Sequence, residues 1–420
     1  MTQDTDNAAA PLHGIKILDF THGVAGPYGV MLLADLGAEV WKIEKPKRGD
    51  PTRYMNVSNR FAADIPTAGG DYFLAINRNK RSIGIDLQQA AGQDVALKLV
   101  RNADIVVSNF RPGVMGRLGL DYAACREVNP GIIYASLSAY GERGPLAHQP
   151  GMDVAVQARS GVMGITGNGA GGPVKPGASI ADFSGGAHLD IAILAALHRR
   201  SNTGKGGELH VSLLDSMISM LSNYSVAVMD GGAEVAPMGS GHPQLVPFQA
   251  FPSQDGYIVI ATGTNRLFGD LCEVLGLPQL AKDERFATNV VRVQNRDALI
   301  PLISEATSQR STAEWLDIFE QNEIPCAPVN TLSQAFAEEQ LTAQDMIVPS
   351  DHPTYGTIHL VGAPYTFGSA RPGIARTPPL LGEHTAELLA GVITPDEIRT
   401  LAEDGVISRS EAPAGASSAR

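Results

Sequence analysis

The sequence is poor in cysteine and in tryptophan. Its 420 residues include two tryptophans and three cysteines, Cys125, Cys272 and Cys326. An odd and widely spaced set of cysteines argues against both a disulfide framework and a zinc cluster. We therefore expect a protein of a reducing compartment, the cytoplasm, with no metal site.

Long apolar runs and an excess of basic residues are also missing. The nearest candidate for a membrane span, residues 211–229, is interrupted by Asp215 and Asn223. The first ten residues lack the basic and then apolar pattern of a signal peptide. A net charge of −12 disfavours nucleic acid and anionic membranes as partners. We expect a globular protein whose partners are small molecules.

Alternating strand and helix patterns are present from residue 14 onward. Period-two apolar runs predict strands at 15–20, 39–43, 82–87, 104–108, 132–138 and 208–214. Helical patterns lie between them, for example at 27–36, 90–100 and 122–128. This alternation predicts an α/β fold with a doubly wound, Rossmann-like parallel sheet.

A smaller α/β domain is expected after a Gly- and Pro-rich linker. The predicted organisation is a large domain over 11–225, a linker at 226–247, a small domain at 248–335, a return to the large domain at 336–407, and disordered tails at 1–10 and 408–420.

The turn after the first strand argues against a dinucleotide site. It reads THGVAGPYG, so its glycines recur every third residue and do not form GxGxxG. Glu44 ends the second strand, where NAD enzymes carry a ribose-binding acid, but Lys45 follows it directly. Residues 42–81 contain nine Lys and Arg against four Asp and Glu. This local excess predicts a pocket for a polyanionic small molecule, or else a solvated basic face.

One segment carries an isolated carboxylate beside glycine. The apolar run 178–181 ends at Asp182, and Ser184, Gly185 and Gly186 precede an apolar helix predicted at 189–197. Asp182 is therefore expected at a strand or loop end, just before a helix N-terminus. The N–H groups there favour a carboxylate and an oxyanion. The alternative is that Asp182 merely caps the helix.

This segment, IADFSGGAHL followed by TGKGGELHVSLLDSM, resembles the nucleophile segment of the class III CoA-transferases, the formyl-CoA transferase and carnitine CoA-transferase group. Further motifs in the family's order span residues 12–406, among them NRNKRSIGIDL, SNFRPGVMGRLG, YASLSAYGERGP, GMDVAVQARSG, IPCAPVNT and PPLLGEHT. The stretches GHPQLVPFQAF and DGYIVIATGTNRLF are most similar to transferases of dicarboxylic acids, such as succinate–hydroxymethylglutarate CoA-transferase.

The resemblance implies an activity and a mechanism. It implies an interlocked homodimer that moves CoA from succinyl-CoA to a dicarboxylic acid, with the CoA thioester as substrate and no permanently bound cofactor. Asp182 would attack the acyl-CoA to give an anhydride, thiolate would convert this to an aspartyl-CoA thioester, and the acceptor carboxylate would displace CoA.

The resemblance also implies a set of site residues. The CoA pocket falls on Val24, Ala25, Lys45, Ile85, Asn109, Phe110, Arg111, Arg117, Met152 and Asp153, and the substrate contacts on Gly241 and His242 in a shortened glycine flap, residues 239–243. A dicarboxylate needs a cation for its distal carboxylate, for which Arg78, Lys80 and Arg266 are candidates.

Two other functions stay open from the sequence. The α-methylacyl-CoA racemases resemble the same motifs but need a proton-shuttling His and acid. Met152 stands before Asp153 where they have His, and Asn265 stands where an acid is expected. The second alternative is a non-catalytic CoA- or nucleotide-binding module, against which the intact Asp182 segment argues.

Overall fold

The computed structural model describes residues 10–61, 67–169 and 171–409. Most of the two predicted tails, 1–9 and 410–420, therefore lies outside the described residues. The chain divides into two compact units, which we call unit 1 and unit 2. Their described residues are 10–160, 177–226 and 340–409 for unit 1, and 161–176 and 227–339, apart from residue 170, for unit 2. We expected 161–176 in the large domain, but this segment groups with the smaller unit.

The first part of unit 1 alternates strands and helices. In order these are β1 (Lys16–Asp19), α1 (Ala25–Asp35), β2 (Glu39–Glu44), α2 (Asp71–Ile76), β3 (Lys80–Gly84), α3 (Ala90–Val100), β4 (Ile105–Ser108), α4 (Val114–Arg117), α5 (Tyr122–Val128) and β5 (Ile133–Ser138). The next elements along the chain are α6 (Asp153–Arg159), α7 (Val162–Ile165), α8 (Ile180–Thr203), β6 (Gly207–Ser212), α9 (Leu213–Met220) and α10 (Ser222–Met229).

The remaining elements complete both units. They are β7 (Phe248–Pro252), β8 (Tyr257–Ala261), α11 (Asn265–Val274), α12 (Asn289–Gln294), α13 (Arg296–Thr307), α14 (Thr312–Gln321), β9 (Cys326–Pro328), α15 (Leu332–Phe336), α16 (Glu339–Ala343), β10 (Ile347–His352), β11 (Gly356–Val361), α17 (Thr385–Leu389) and α18 (Pro395–Glu403). Short 3₁₀ helices lie at Pro51–Tyr54, Asn59–Phe61 and Leu280–Lys282.

Unit 1 is built on a six-stranded sheet in the order β3-β2-β1-β4-β5-β6. Neighbouring strands all run parallel, with Ile17 of β1 paired to Val40 on one side and to Ile105 on the other. The predicted α/β fold with a parallel sheet is confirmed. The strand order reverses between β1 and β4, and ligands of such sheets bind outside the carboxyl ends of the strands at this point.

One face of the sheet buries the main core of unit 1. Side chains of β1 to β5 pack there against α3, α5, α17 and α18. The chain then adds a last backbone segment beside β3, where Asp86 N–H donates to Val406 O at 2.8 Å and Ser408 N–H donates to Gly84 O at 3.0 Å. Ser408, which we expected to begin a disordered tail, is therefore part of the ordered sheet edge.

Unit 2 has its own core. Its antiparallel sheet β7-β8-β9 packs with α11, α13 and α14 around five aromatic side chains, namely Phe251, Phe268, Phe286, Trp315 and Phe319. All five are 3% exposed or less. A separate core of this size is what allows a segment to form a compact unit.

The long helix α8 begins earlier than the sequence suggests. We predicted a helix only from residue 189, after a glycine turn, but α8 starts at Ile180 and runs for 24 residues. The glycines lie inside it because α8 crosses α1 at close range. A Cβ on Gly186 would lie 2.7 Å from the Ala25 carbonyl oxygen, and one on Gly29 would lie 2.8 Å from the Gly186 carbonyl oxygen.

By length and composition α8 could cross a membrane, with 44% of its most apolar window buried inside the protein. In the structure it packs against α1, β5, β6 and α9, which are the contacts of a core helix. Its first turn lies within unit 1 and carries Asp182.

Candidate active site

Asp182 lies in the first turn of α8, where the backbone N–H groups have no partner within the helix itself. Its side chain is half-buried. Burial raises the pKa of the Asp182 carboxyl to about 7, and the nearby Asp153 carboxylate adds to the rise. A carboxyl of this kind is half ionised at neutral pH and poorly solvated when charged, which suits a nucleophile.

The cap of α8 comes from a different helix. Asp153 begins α6, and its Oδ1 accepts hydrogen bonds from the N–H groups of Ala181 at 3.0 Å and of Asp182 at 3.3 Å. Ser179, at the usual capping position, makes no side-chain cap hydrogen bond among the described residues. Asp182 is therefore not the cap that the alternative interpretation required, because that role falls to Asp153.

Asp153 is held in turn by Gln157. The amide Nε2 of Gln157 donates to Asp153 Oδ2 at 2.6 Å. Both oxygens of Asp153 are thus engaged inside unit 1, beside Asp182, whereas the resemblance had assigned this residue to the CoA pocket. Sequence reasoning missed Gln157; its spacing of four residues from Asp153 on a helix was the available signal.

The loops after β1 and β4 meet at the point where the strand order reverses. The Asn109 side chain accepts from His22 N–H at 2.8 Å and donates to His22 O at 2.7 Å. The His22 ring meets the Phe110 ring edge-on, with centroids 5.1 Å apart. Asn109 and Phe110 therefore hold the turn that leads to Val24 and Ala25 at the start of α1.

Three of the predicted CoA ligands are exposed cations near this edge. Lys45 follows β2, Arg111 follows β4, and Arg117 ends α4. Lys45 Nζ lies 3.4 Å from Gln88 Oε1, and all three side chains are exposed. Cations at the carboxyl edge of a parallel sheet are well placed for phosphate groups.

Comparisons with known proteins identify the family of the chain. The family model described as CoA-transferase family III matches residues 12–385. The chain belongs to this family. The racemase alternative is not supported, and the enzyme is a CoA-transferase.

The relatives of this transferase cover nearly its whole length. A succinyl-CoA:glutarate CoA-transferase from Mus musculus is 38% identical over 97% of this chain and 93% of the relative. A succinate–glutarate CoA-transferase from Agrobacterium fabrum is 35% identical over 94% of this chain and 99% of the relative. Among solved structures, a CAIB/BAIF family protein from Brucella suis is 35% identical with a TM-score of 0.82, covering 91% of this chain and 100% of that one.

Four of the nine cations between residues 42 and 81 are buried in ion pairs and do not line a pocket in the transferase. Buried ion pairs join Lys42 to Asp50 at 3.0 Å, Arg53 to Glu44 at 2.7 Å, Arg78 to Asp35 at 2.6 Å and Lys80 to Asp19 at 3.1 Å. Burial lowers the pKa of Lys80 to about 8, against the opposing effect of Asp19. The assignment of Arg78 and Lys80 to a substrate carboxylate is wrong, because both are buried and already paired.

Glu44 is similarly occupied. Its two oxygens accept from Arg53 Nε and Nη2, from Ser82 Oγ and from Asp50 N–H, all within 2.9 Å. The side chain is 1% exposed. An acid in this state cannot also receive a ribose hydroxyl, which agrees with the absence of GxGxxG in the sequence.

Ile85 and Met152, two further predicted CoA ligands, differ from each other in the exposure of their side chains. Ile85 is 1% exposed and packs in the core of unit 1, so its side chain cannot contact CoA in this conformation. Met152 precedes α6 and is 76% exposed. It carries no titratable group where a racemase would need one.

The predicted substrate residues in unit 2, Gly241 and His242, lie in a segment held by hydrogen bonds. Gly241 N–H donates to Met238 O at 3.0 Å, and His242 Nδ1 accepts from Gln244 N–H at 3.0 Å. Arg296 Nη2 donates to the carbonyls of His242 and Pro243, each at 3.0 Å. These contacts give His242 a structural role in its turn, and its contact with substrate stays a prediction.

Two further residues of unit 2 were singled out in the sequence. Asn265 Oδ1 accepts from Asn289 N–H at 3.1 Å and from Arg292 Nη2 at 3.0 Å, so this amide is structural. Arg266 is exposed and pairs with Asp270 at 3.1 Å on the surface of α11. Arg266 remains a candidate for the distal carboxylate of a substrate.

Proposed function

We propose that the transferase moves CoA from succinyl-CoA to a C4–C6 dicarboxylic acid, with glutarate as the first candidate, and that Asp182 is the nucleophile. The observation that carries the proposal is the half-buried Asp182 carboxyl, with its raised pKa, at the N-terminus of α8. Two relatives whose names pair succinyl-CoA or succinate with glutarate support the substrate class.

The proposed reaction has four steps that balance. An Asp182 oxygen attacks the succinyl thioester carbonyl and CoA thiolate leaves, which gives a mixed anhydride. Thiolate then attacks the Asp182 carbonyl and succinate leaves. The acceptor carboxylate attacks the resulting aspartyl thioester and expels thiolate. Finally thiolate attacks the acceptor's acyl carbonyl, so that glutaryl-CoA forms and the Asp182 carboxylate is regenerated.

The position of Asp182 favours these steps physically. Partial burial leaves its carboxylate poorly solvated, which makes attack on a carbonyl less costly than for an exposed Asp. The positive end of α8 stabilises the negative charge that develops on oxygen in each tetrahedral intermediate. An anhydride also has to be shielded from water.

CoA binding rests on the exposed cations at the sheet edge. Lys45, Arg111 and Arg117 offer charge-assisted hydrogen bonds to phosphates, each contributing about 1–3 kcal/mol. The turn of residues 22–25, held by Asn109, brings the N-terminus of α1 to the same edge. These residues fit a nucleotide with several phosphates.

We further propose a cytoplasmic homodimer. Cys125, Cys272 and Cys326 are unpaired thiols, which suits a reducing compartment. Large apolar side chains of unit 1 are exposed on α8 and α9, among them Ile191 at 64%, Ile218 at 52% and Met220 at 50%. Exposed apolar side chains on adjacent helices are typical of an interface.

A kinetic experiment tests the function. Purified protein with succinyl-CoA and glutarate should form succinate and glutaryl-CoA. Chromatography measures the formation of these products over time. Asp182→Ala and Asp182→Asn should reduce this rate by on the order of 10³-fold or more, whereas Asp215→Asn, an exposed first-turn Asp on α9, should not. Near-normal turnover in Asp182→Ala contradicts the nucleophile, and preference for a monocarboxylate acceptor contradicts the substrate class alone.

A further inference from the structure

A chain of hydrogen bonds connects a buried glutamine to the first turn of α8. Gln157 Nε2 donates to Asp153 Oδ2 at 2.6 Å, and Asp153 Oδ1 accepts from the N–H groups of Ala181 and Asp182 at 3.0 and 3.3 Å. One carboxylate thus takes a donor on each of its two oxygens. It joins α6 to α8, which lie next to each other in unit 1.

The burial of Gln157 suggests a specific task for its amide. The side chain is 0% exposed, and its Oε1 has no hydrogen-bond partner in the part of the chain that the structure describes. Leucine or methionine would fill similar space without a stranded acceptor, so packing alone does not explain a glutamine. Its Nε2 must face Asp153, because the flipped amide would set Oε1 against a carboxylate oxygen.

The consequence for α8 follows from its cap. The N–H groups that Asp153 receives belong to the residue before the nucleophile and to the nucleophile itself. If the Gln157 donor is removed, the Asp153 carboxylate is free to turn and the first turn of α8 loses its anchor. Displacing a reacting group by about 1 Å can cost on the order of 10²-fold in rate.

We propose that Gln157 is a positioning residue for CoA transfer: through Asp153 it fixes the first turn of α8, and with it the carboxyl group of Asp182. The inference rests on the proposed role of Asp182 as nucleophile. Gln157 has no contact with the reacting atoms in this scheme. Its effect should therefore appear in the rate of the chemical steps and not in the binding of the CoA thioester.

The first test separates these two quantities. Gln157→Leu should lower kcat for succinyl-CoA and glutarate by about 10–100-fold while KM for succinyl-CoA changes by about twofold or less. The matched control is Gln93→Leu on α3, whose amide also makes one hydrogen bond, to the Leu87 carbonyl. We expect wild-type kinetics for it. A kcat for Gln157→Leu within twofold of wild type overturns the inference.

The second test reverses the hydrogen bond. Gln157→Glu sets two carboxyl groups against each other and should be slower than Gln157→Leu. Adding Asp153→Asn supplies an amide whose N–H can donate to the new carboxylate at position 157 while its oxygen still accepts from α8. The double variant should therefore recover at least about tenfold over Gln157→Glu. A side chain that only filled space would give no such recovery, and its absence contradicts the inference.

Folding and the proposed nucleophile are checked in the same series. Circular dichroism identifies any variant that does not fold, and if Gln157→Leu is one, the comparison of Gln157→Glu with the double variant decides. Asp182→Ala is assayed alongside. If Asp182→Ala stays active, the proposed function fails regardless of Gln157. If it is inactive while every Gln157 variant is fast, this inference alone is wrong.

Discussion

The raised pKa of Asp182 makes a prediction about stability that does not depend on any substrate. A carboxyl whose pKa is higher in the folded chain than in the unfolded chain binds its proton more tightly when folded. The stability it contributes is fully present below the unfolded pKa of 3.8 and is lost as pH rises through about 7. Asp182→Asn cannot ionise and should escape this loss.

The magnitude follows from the size of the rise. A pKa that increases from 3.8 to about 7 corresponds to roughly 4 kcal/mol at about 1.4 kcal/mol per pKa unit, of which about 2–3 kcal/mol falls between pH 5 and pH 8. Water reaches part of this half-buried side chain and screens its charge. We therefore expect Asp182→Asn to gain about 1–2 kcal/mol relative to wild type between these two pH values.

Urea denaturation at pH 5 and pH 8 measures this difference. Trp41, in β2 of unit 1, reports by fluorescence if Trp315 of unit 2 is first replaced by Phe in all variants. Asp215→Asn, in the exposed first turn of α9, is the control and should follow wild type. If the free energy of unfolding changes by the same amount between pH 5 and pH 8 in wild type and in Asp182→Asn, the claim that burial raises the pKa of Asp182 is refuted.

Three other predictions concern packing, ligand binding and the buried ion pairs. Gly186→Ala places a Cβ 2.7 Å from the Ala25 carbonyl oxygen. It should lower the free energy of unfolding by about 1–3 kcal/mol in denaturation and slow CoA transfer. The control Gly269→Ala on α11 has open space around its Cβ and should be neutral or slightly stabilising. Arg117→Ala should weaken CoA thioester binding by about 1–3 kcal/mol in calorimetry. Arg126→Ala, at an exposed position on α5, is the control. Equal affinities of the two variants for the CoA thioester would contradict a phosphate contact of Arg117. Arg78→Ala leaves Asp35 buried without its partner and should lower the free energy of unfolding by about 3–5 kcal/mol. If the variant is soluble, its preferred acceptor acid should be unchanged. A changed acceptor would indicate that Arg78 contacts the substrate.

The sheet of unit 1 could be predicted well because its strands are local and their pattern is strong. Buried parallel strands read as apolar runs separated by helical patterns, and this fixes the alternation without knowledge of distant contacts. The predicted helices at 90–100 and 122–128 have the bounds found for α3 and α5. Strand ends shifted by one to three residues, as for β3, which was predicted at 82–87 and is found at Lys80–Gly84.

The start of the helix that carries Asp182 was predicted too late in the sequence, because its glycines are needed for contact with a distant helix, α1. Locally, Ser184-Gly185-Gly186 favours a turn. In the fold, Gly186 allows α1 to approach closely, and the packing gained outweighs the low helix propensity of glycine. The contact with Gly29 could not be deduced from one sequence.

The roles of the charged residues were hidden for a similar reason. Counting Lys and Arg between 42 and 81 shows an excess of positive charge, but does not show that Arg78 reaches Asp35 or that Lys80 reaches Asp19. Likewise, Asp153 could be singled out by its motif, whereas its hydrogen bonds to a helix that begins 27 residues later depend on how α6 and α8 pack.

A covalent trapping experiment tests most directly whether Asp182 carries the acyl group and CoA. The protein is mixed with succinyl-CoA, quenched with hydroxylamine within seconds, digested and analysed by mass spectrometry. We predict a hydroxamate on the side chain of Asp182 in wild type and no such adduct in Asp182→Asn. A hydroxamate on another residue, or an active wild-type enzyme that turns over with no modified Asp182, would contradict the mechanism.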